Sequence, residues 1–402
     1  MNLLPLFAFL AVAYGGAIKT IEDTVWQTDV PIKVAVDINL PLSHKIQVAN
    51  VLEYYSSVTC LKYDTKDIEE VFNWDFWKLK YRNDRTDRIH FTYSPGGGCS
   101  SPIGKSSDGV NLYDGCGNFG TVAHEVGHSL GLLHTQMRAD RDKYVSIVST
   151  CRRYWVTCLM FMRNWEIFAS SLQDDFGVPY DYGSVMHYSA RPLNGQIANM
   201  ETKDPLKQYT LGNNVWPSIS DLLLINRRHR CLDRCAPSKT PCQNNGFPNP
   251  NNCAVCVCPF GLAGAYCTER ANGTDKNCGS TEKAGFAWKV LSGTVDTRWL
   301  NGENDYDSQY CHWLLKSDPG KKIVVRIRKV NDCFSKDSCH QGGVEIKTKD
   351  FHLGGVKFCC KNQIAPYAYS KVFKTNGDMA LINLDSQNGM RFFELEYRQV
   401  IF

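Results

Sequence analysis

The 402-residue chain is long enough for two or three domains, and 43% hydrophobic and 21% charged residues are the fractions of a folded globular protein. A net charge of +4 is too small to imply a nucleic-acid or membrane partner, and the short basic run Arg227-Arg228-His229-Arg230 reads as a solvated helix face. Eighteen cysteines, an even number and many for this length, point to an oxidising, extracytoplasmic setting.

The first stretch agrees with that setting. Leu3 to Ala13 is almost wholly apolar, and the small residues Gly15, Gly16 and Ala17 follow. Residues 1–16 therefore read as a secretory signal peptide cut between Ala13 and Ala17, and no later apolar run is long enough to cross a bilayer. A short segment, 17–25, leads into an α+β domain expected over 26–231. Ile32 to Val36 alternates as a strand does, and Ser43 is expected to cap an amphipathic helix through Ile46, Val48, Val51 and Leu52. Arg88 to Tyr93 reads as a second strand, ended by Pro95 and three glycines; a third is expected at Val110 to Leu112.

Gly120 to Leu133 is expected to be a helix carrying His124-Glu125-Val126-Gly127-His128. Positions four apart share a helix face, so His124 and His128 can reach one ion, with Glu125 placed to hold a water beside it. Gly131 is suited to end the helix in a left-handed conformation, and the chain can then return His134 as a third ligand. Three neutral nitrogens leave a zinc position open, as catalytic sites do. The eleven-residue pattern H-E-x-x-H-x-x-G-x-x-H asks for a downstream Met-turn, which Ser184-Val185-Met186-His187-Tyr188 supplies.

The S-x-M-H-Y sequence, together with Arg138-Ala139-Asp140-Arg141-Asp142 after the third histidine, resembles the astacin family of metzincin zinc proteases. That resemblance implies one zinc per domain on His124, His128 and His134, Glu125 as general base, and Tyr188 as a further ligand that swings to the oxyanion; a buried core tyrosine is the plainer reading of Tyr188. Met186 is implied as an apolar floor beneath the histidines. Disulfides Cys60–Cys231 and Cys99–Cys116 are implied likewise. The segment Gly98 to Gly104 is similar to the family's edge strand above the cleft, where an extended peptide could add as a strand, although Ser100 stands where an aromatic residue is common. Three departures stand out. Thr135 replaces the glutamate that pairs with the mature amino terminus, and only about ten residues separate the signal from Trp26 (Glu22 and Asp23 being the acids available to reach the metal). Cys151 and Cys158 sit in an irregular insertion, where they are expected to form a local disulfide.

From Cys235 to Cys267 there are six cysteines and few aliphatics, too few for a core, so disulfides must hold the fold. Cys235, Cys242, Cys253, Cys256, Cys258 and Cys267, spanning 232–270, resemble an EGF-like module; a zinc knuckle is the other reading of the spacing, but a secreted chain would oxidise these thiols. Residues 278–398 alternate throughout as a β-sandwich does, and Cys278, Cys311 and His312-Trp313 make them resemble a CUB domain. No calcium site is expected there, since Ser335-Lys336 occupies the place of the usual Tyr-Asp pair; the partners of Cys333, Cys339, Cys359 and Cys360 stay open. Asn272-Gly273-Thr274 is a glycosylation acceptor. The expectation is a secreted zinc endopeptidase acting on extracellular proteins, directed to substrate or matrix by the two C-terminal modules. The alternative is a catalytically silent relative that binds through those modules.

Overall fold

A computed structural model describes residues 17–18, 25–66, 88–106, 108–149, 165–190, 198–297, 308–331, 338–364 and 371–401. Cys151, Cys158, Cys333, Glu22, Asp23 and the apolar leader lie outside them.

The first body is an α+β domain. Strands β1 (Ile32–Val36), β2 (Tyr63–Asp64), β3 (Arg88–Tyr93) and β4 (Val110–Leu112) form a parallel sheet in the order β2-β1-β3-β4. Helix α1 (Leu42–Val58) buries Val48, Val51, Leu52 and Tyr55 against it, and the Tyr55 hydroxyl donates to the Ala123 carbonyl of helix α2 (Phe119–Ser129) at 2.9 Å. Helix α1 is not capped by Ser43. It begins at Leu42 after Pro41, whose fixed φ suits a helix entry, and the Ser43 hydroxyl lies 3.3 Å from His44 Nδ1 instead. A second pair of strands, β5 (Val145–Ser149) and β6 (Ala198–Thr202), runs antiparallel beyond the site. Helix α3 (Ile219–Arg228) closes the domain, started by a Ser218–Asp221 capping box.

The basic run at the end of α3 is solvated only in part: Arg230 is exposed and Arg227 partly so, but its two middle residues are not. Arg228 and His229 are buried, because Gly131 lacks the Cβ that would collide with the Arg228 guanidinium, and His229 Nε2 reaches the Leu130 carbonyl at 3.1 Å. Cys60 is bonded to Cys231, joining the end of α1 to the end of α3 across 171 residues. In the chain-entropy account a loop of that size stabilises by about 5 kcal/mol. Cys99 is bonded to Cys116.

In the second body Cys235–Cys253, Cys242–Cys256 and Cys258–Cys267 are all disulfides, which removes the metal-knuckle reading. Its hairpin, β7 (Phe247–Asn249) with β8 (Asn252–Val257), does not stand apart: Phe247 and Val257 belong to the same apolar cluster as α1 and α2. Asn251 Nδ2 is placed at 2.9–3.1 Å from the carbonyls of Ser56, Ser57 and Thr59 at the end of α1.

The third body is a β-sandwich. One sheet has the order β9-β11-β16-β13-β14, from Thr281–Lys283, Gln309–Lys316, Met379–Ser386, Gly342–Lys347 and Val356–Phe358. The other runs β10-β17-β12-β15, from Lys289–Asp296, Met390–Val400, Lys322–Val330 and Phe373–Lys374. Strand β17 alternates strictly between buried and part-exposed positions, and its Phe393, Leu395 and Tyr397 meet Trp313, Ile323 and Ile346 in the core. Cys278–Cys311 and Cys339–Cys359 are disulfides, and Cys360 is disulfide-bonded too.

An aromatic column joins the three bodies. Phe119 stacks on Trp216 at 4.4 Å, Trp216 on Phe260 at 5.8 Å, and Phe260 meets His312 edge-on at 4.8 Å. Asn272 is exposed in the linker beside this junction.

Candidate metal centre

Helix α2 starts at Phe119, where the Asn118 side chain accepts from Thr121 N at 2.8 Å. It stops at Ser129, four residues short of the sequence expectation, because Gly131 takes φ 92° and the Gly131 and Leu132 amides turn back to His128 and Gly127 carbonyls. That reversal returns His134 to the helix face. His124 Nε2 and His128 Nε2 then lie 3.2 Å and 3.1 Å from His134 Nε2.

The protons of the outer ring nitrogens are fixed by the backbone. His124 Nδ1 donates to the Val185 carbonyl at 2.8 Å and His128 Nδ1 to the Leu132 carbonyl at 2.8 Å. With Nδ1 protonated, both Nε2 atoms present bare lone pairs toward that of His134. Burial holds the rings neutral: it lowers His124, lowers His128 to about 3 with help from neighbouring His124, and lowers His134 well below its ordinary range. Three neutral lone pairs facing one point repel unless a cation sits among them. Among the described residues His124, His128 and His134 form a set whose ligand atoms lie within 4.8 Å of one another, and three imidazole donors suit zinc.

Glu125 is nearly sealed from solvent, its Oε2 has no hydrogen-bond partner, and burial pushes its carboxyl up to about 8. A divalent neighbour favours the ionised form. The Tyr188 ring lies over His134, with centroids 4.3 Å apart, and is held from its far side by the edge of Trp165 at 5.5 Å. Its hydroxyl is raised by burial and then by the charge of Glu125, which places it in the same microenvironment. Met186 is buried beneath the helix, and a Cβ on Gly127 would stand 2.9 Å from its sulfur, so the glycine in H-E-x-G-H makes room for it. His187 turns away, bonding to Tyr180 Oη at 2.7 Å.

Several contributors were not legible in sequence. Asp221 accepts from Ser184 Oγ at 2.5 Å and Val185 N at 2.9 Å, and so holds the Met-turn from α3. Burial pushes Asp221 up to about 6, against those hydrogen bonds. Thr135 Oγ1 donates to Ser184 Oγ at 3.0 Å and Thr135 N to the Met186 carbonyl at 3.1 Å, which occupies the place after His134 with neutral contacts. Gln136 Oε1 accepts from Tyr188 N at 3.1 Å. Only the capping pattern Ser218-x-x-Asp221 carried a local signal, and it marks a helix start rather than a support for a turn 37 residues away.

Residues 18–230 match the model of the astacin peptidase family. The chain belongs to the astacin family. Among curated relatives of this astacin, zinc metalloproteinase nas-31 of Caenorhabditis elegans is 33% identical over 310 residues, covering 76% of this chain and 48% of that protein. Zinc metalloproteinase nas-27 of the same organism is 28% identical over 383 residues, covering 92% and 84%. The chain thus spans about half the length of relatives such as nas-31 and most of nas-27. Among solved structures, high choriolytic enzyme 1, a hatching enzyme zinc-protease from the medaka fish Oryzias latipes, aligns with 54% of this chain and 99% of its own at 20% identity and a TM-score of 0.42.

Proposed function

We propose that this astacin is a secreted zinc-dependent endopeptidase that hydrolyses peptide bonds in extracellular proteins. The observation that carries the reading is the convergence of three neutral imidazole nitrogens beside a buried carboxylate with one unpartnered oxygen. When bound by His124, His128 and His134, zinc supplies Lewis acidity, making water acidic near neutral pH and polarising a carbonyl. Glu125 Oε2 takes the proton of the attacking water and passes it to the departing amine nitrogen, so the carboxylate ends the cycle as it began. The Tyr188 hydroxyl donates to the oxygen on which charge develops. Met186, held by Asp221 through Ser184, keeps the histidine rings from tipping. An extended substrate lies along the outer segment whose Ser100 pairs with Asn111 of β4.

Secretion is supported by the cysteines: among the described residues none is free. Residues 232–270 and 278–398 then act as EGF-like and CUB modules that direct the enzyme to extracellular proteins or matrix, with Asn272 glycosylated on the exposed linker.

The test uses the full mature chain. Wild type is expected to carry one zinc, to cleave a denatured protein, to lose that activity on chelation and to regain it with zinc. Glu125→Ala keeps the metal and loses about 10² to 10⁴-fold in rate. Tyr188→Phe lowers turnover more than metal content. A zinc-loaded wild type that cleaves nothing supports the silent, module-binding alternative instead.

A further inference from the structure

The loop Phe351–Gly355, between β13 and β14 of the β-sandwich, reaches onto the back of the metal centre. Gly354 N donates to Asp181 Oδ1 at 2.7 Å, and the same oxygen accepts from Gly183 N at 2.9 Å. The Gly354 carbonyl accepts from Lys207 Nζ, and the Gly355 carbonyl from Thr210 Oγ1 at 2.7 Å. On the other side, Ser220 Oγ donates to the His352 carbonyl at 2.9 Å. The two backbones touch: a Cβ on Gly183 would stand 2.6 Å from Gly354 Cα, and one on Gly354 would stand 2.6 Å from Gly183 N. Glycine at both positions is what lets the contact form.

These contacts fall on the two pieces that hold the histidines. Asp181 and Gly183 lead directly into Ser184-Val185-Met186, whose Val185 carbonyl orients His124 and whose Met186 carbonyl accepts from the amide next to His134. Ser220 is the neighbour of Asp221, which grips that same turn from α3. The loop therefore spans the Met-turn and its support, and one of the two amides on the sealed Asp181 Oδ1 comes from another domain.

We propose that Phe351–Gly355 is a positioning element of the metal centre: the C-terminal β-sandwich clamps the Met-turn and so sets how firmly His124 and His134 hold zinc. The inference rests on the zinc-protease reading but can be tested apart from it. In the full chain, Gly354→Val drives a side chain into the Gly183 backbone. Zinc release to a chelator is expected to quicken about tenfold, the size typical for loss of outer support, with kcat on a short peptide down about tenfold and KM unchanged. Amide exchange at residues 182–186 rises in parallel. Should Gly354→Val fail to fold, the pair Thr210→Val with Ser220→Ala removes two of the contacts without new bulk and is expected to speed release about threefold. Release and exchange at wild-type rates in the folded variant overturn the proposal. If wild type holds zinc yet cleaves no peptide, the proteolytic reading fails alone, because release and exchange still decide the clamp.

Discussion

Two places in this molecule gather polar groups out of water, and they solve the problem differently. At the metal centre three neutral nitrogen lone pairs aim at a point beside the buried Glu125 carboxyl, and the outer protons of His124 and His128 are turned to the Val185 and Leu132 carbonyls. On the β-sandwich, near the junction, the groups are mixed. Lys357 Nζ sits 2.9 Å from Asp385 Oδ1, Lys347 Nζ sits 3.7 Å from Glu345 Oε1, and Asn383 Nδ2 donates to Glu345 Oε2 at 2.9 Å. Burial works to raise Glu345, but Lys347, Asn383 and the Gly355 amide outweigh it and hold it below the usual range. The second cluster brings its own cations, which hold Glu345 low although burial still raises Asp385. The first brings none, and that is what marks it as a site for an ion from outside.

The contrast is sharpest if the first cluster is broken. His128→Ala removes one donor, and zinc content measured by elemental analysis, together with peptide cleavage, is expected to fall to background. Breaking the second cluster costs stability instead. Lys357→Met leaves the Asp385 carboxylate buried and unpaired, an expected loss of about 3–5 kcal/mol in urea unfolding, most of it restored by adding Asp385→Leu. If the single variant is as stable as wild type, the cluster is not self-neutralised in the way described.

Acid separates them further. His312, at the foot of the aromatic column, is held down to about 4 by burial, against its hydrogen bond to Asn383. A histidine depressed when folded binds fewer protons folded than unfolded between its ordinary value near 6.5 and 4. Stability is therefore lost as pH falls through that window, by up to roughly 3 kcal/mol, and is fully present above it. Unfolding midpoints at pH 7 and pH 4.5 measure this, and His312→Asn should remove the His312 share of the dependence, leaving that of the similarly depressed His187 and His229. The smallest effect is expected from added calcium. With lysines already paired to Glu345 and Asp385, millimolar calcium should shift the melting of the β-sandwich by less than about 1 °C.

What can be read from sequence is what repeats or sits within a turn of helix. The pairing partners β1 and β3 announce themselves by alternation, β17 by an unbroken two-residue period, and the ligands by eleven contiguous residues. What cannot be read depends on residues distant in the chain. Arg228 reads as part of a charged surface because nothing nearby reveals that Gly131, far earlier in the chain, leaves space for its guanidinium. The span drawn to Leu133 runs too far because Leu130, Leu132 and Leu133 continue an apolar pattern, whereas the left-handed stop read from Gly131 is where the chain does turn. Asp221 shows as a helix cap, while its grip on Ser184 and Val185 has no period at all. Likewise Gly183 and Gly354 are ordinary glycines until the two backbones are brought together.

The hook that Asn251 makes over Ser56, Ser57 and Thr59, together with Phe247 and Val257 in the first apolar cluster, bears on where the catalytic unit stops. Cutting the chain after Cys231 would bare an apolar patch and three helix-terminal carbonyls at once. A fragment meant to keep the first domain folded should accordingly run at least through Cys267, and gain or loss of the small module in related chains should occur in step with compensating changes at the end of α1.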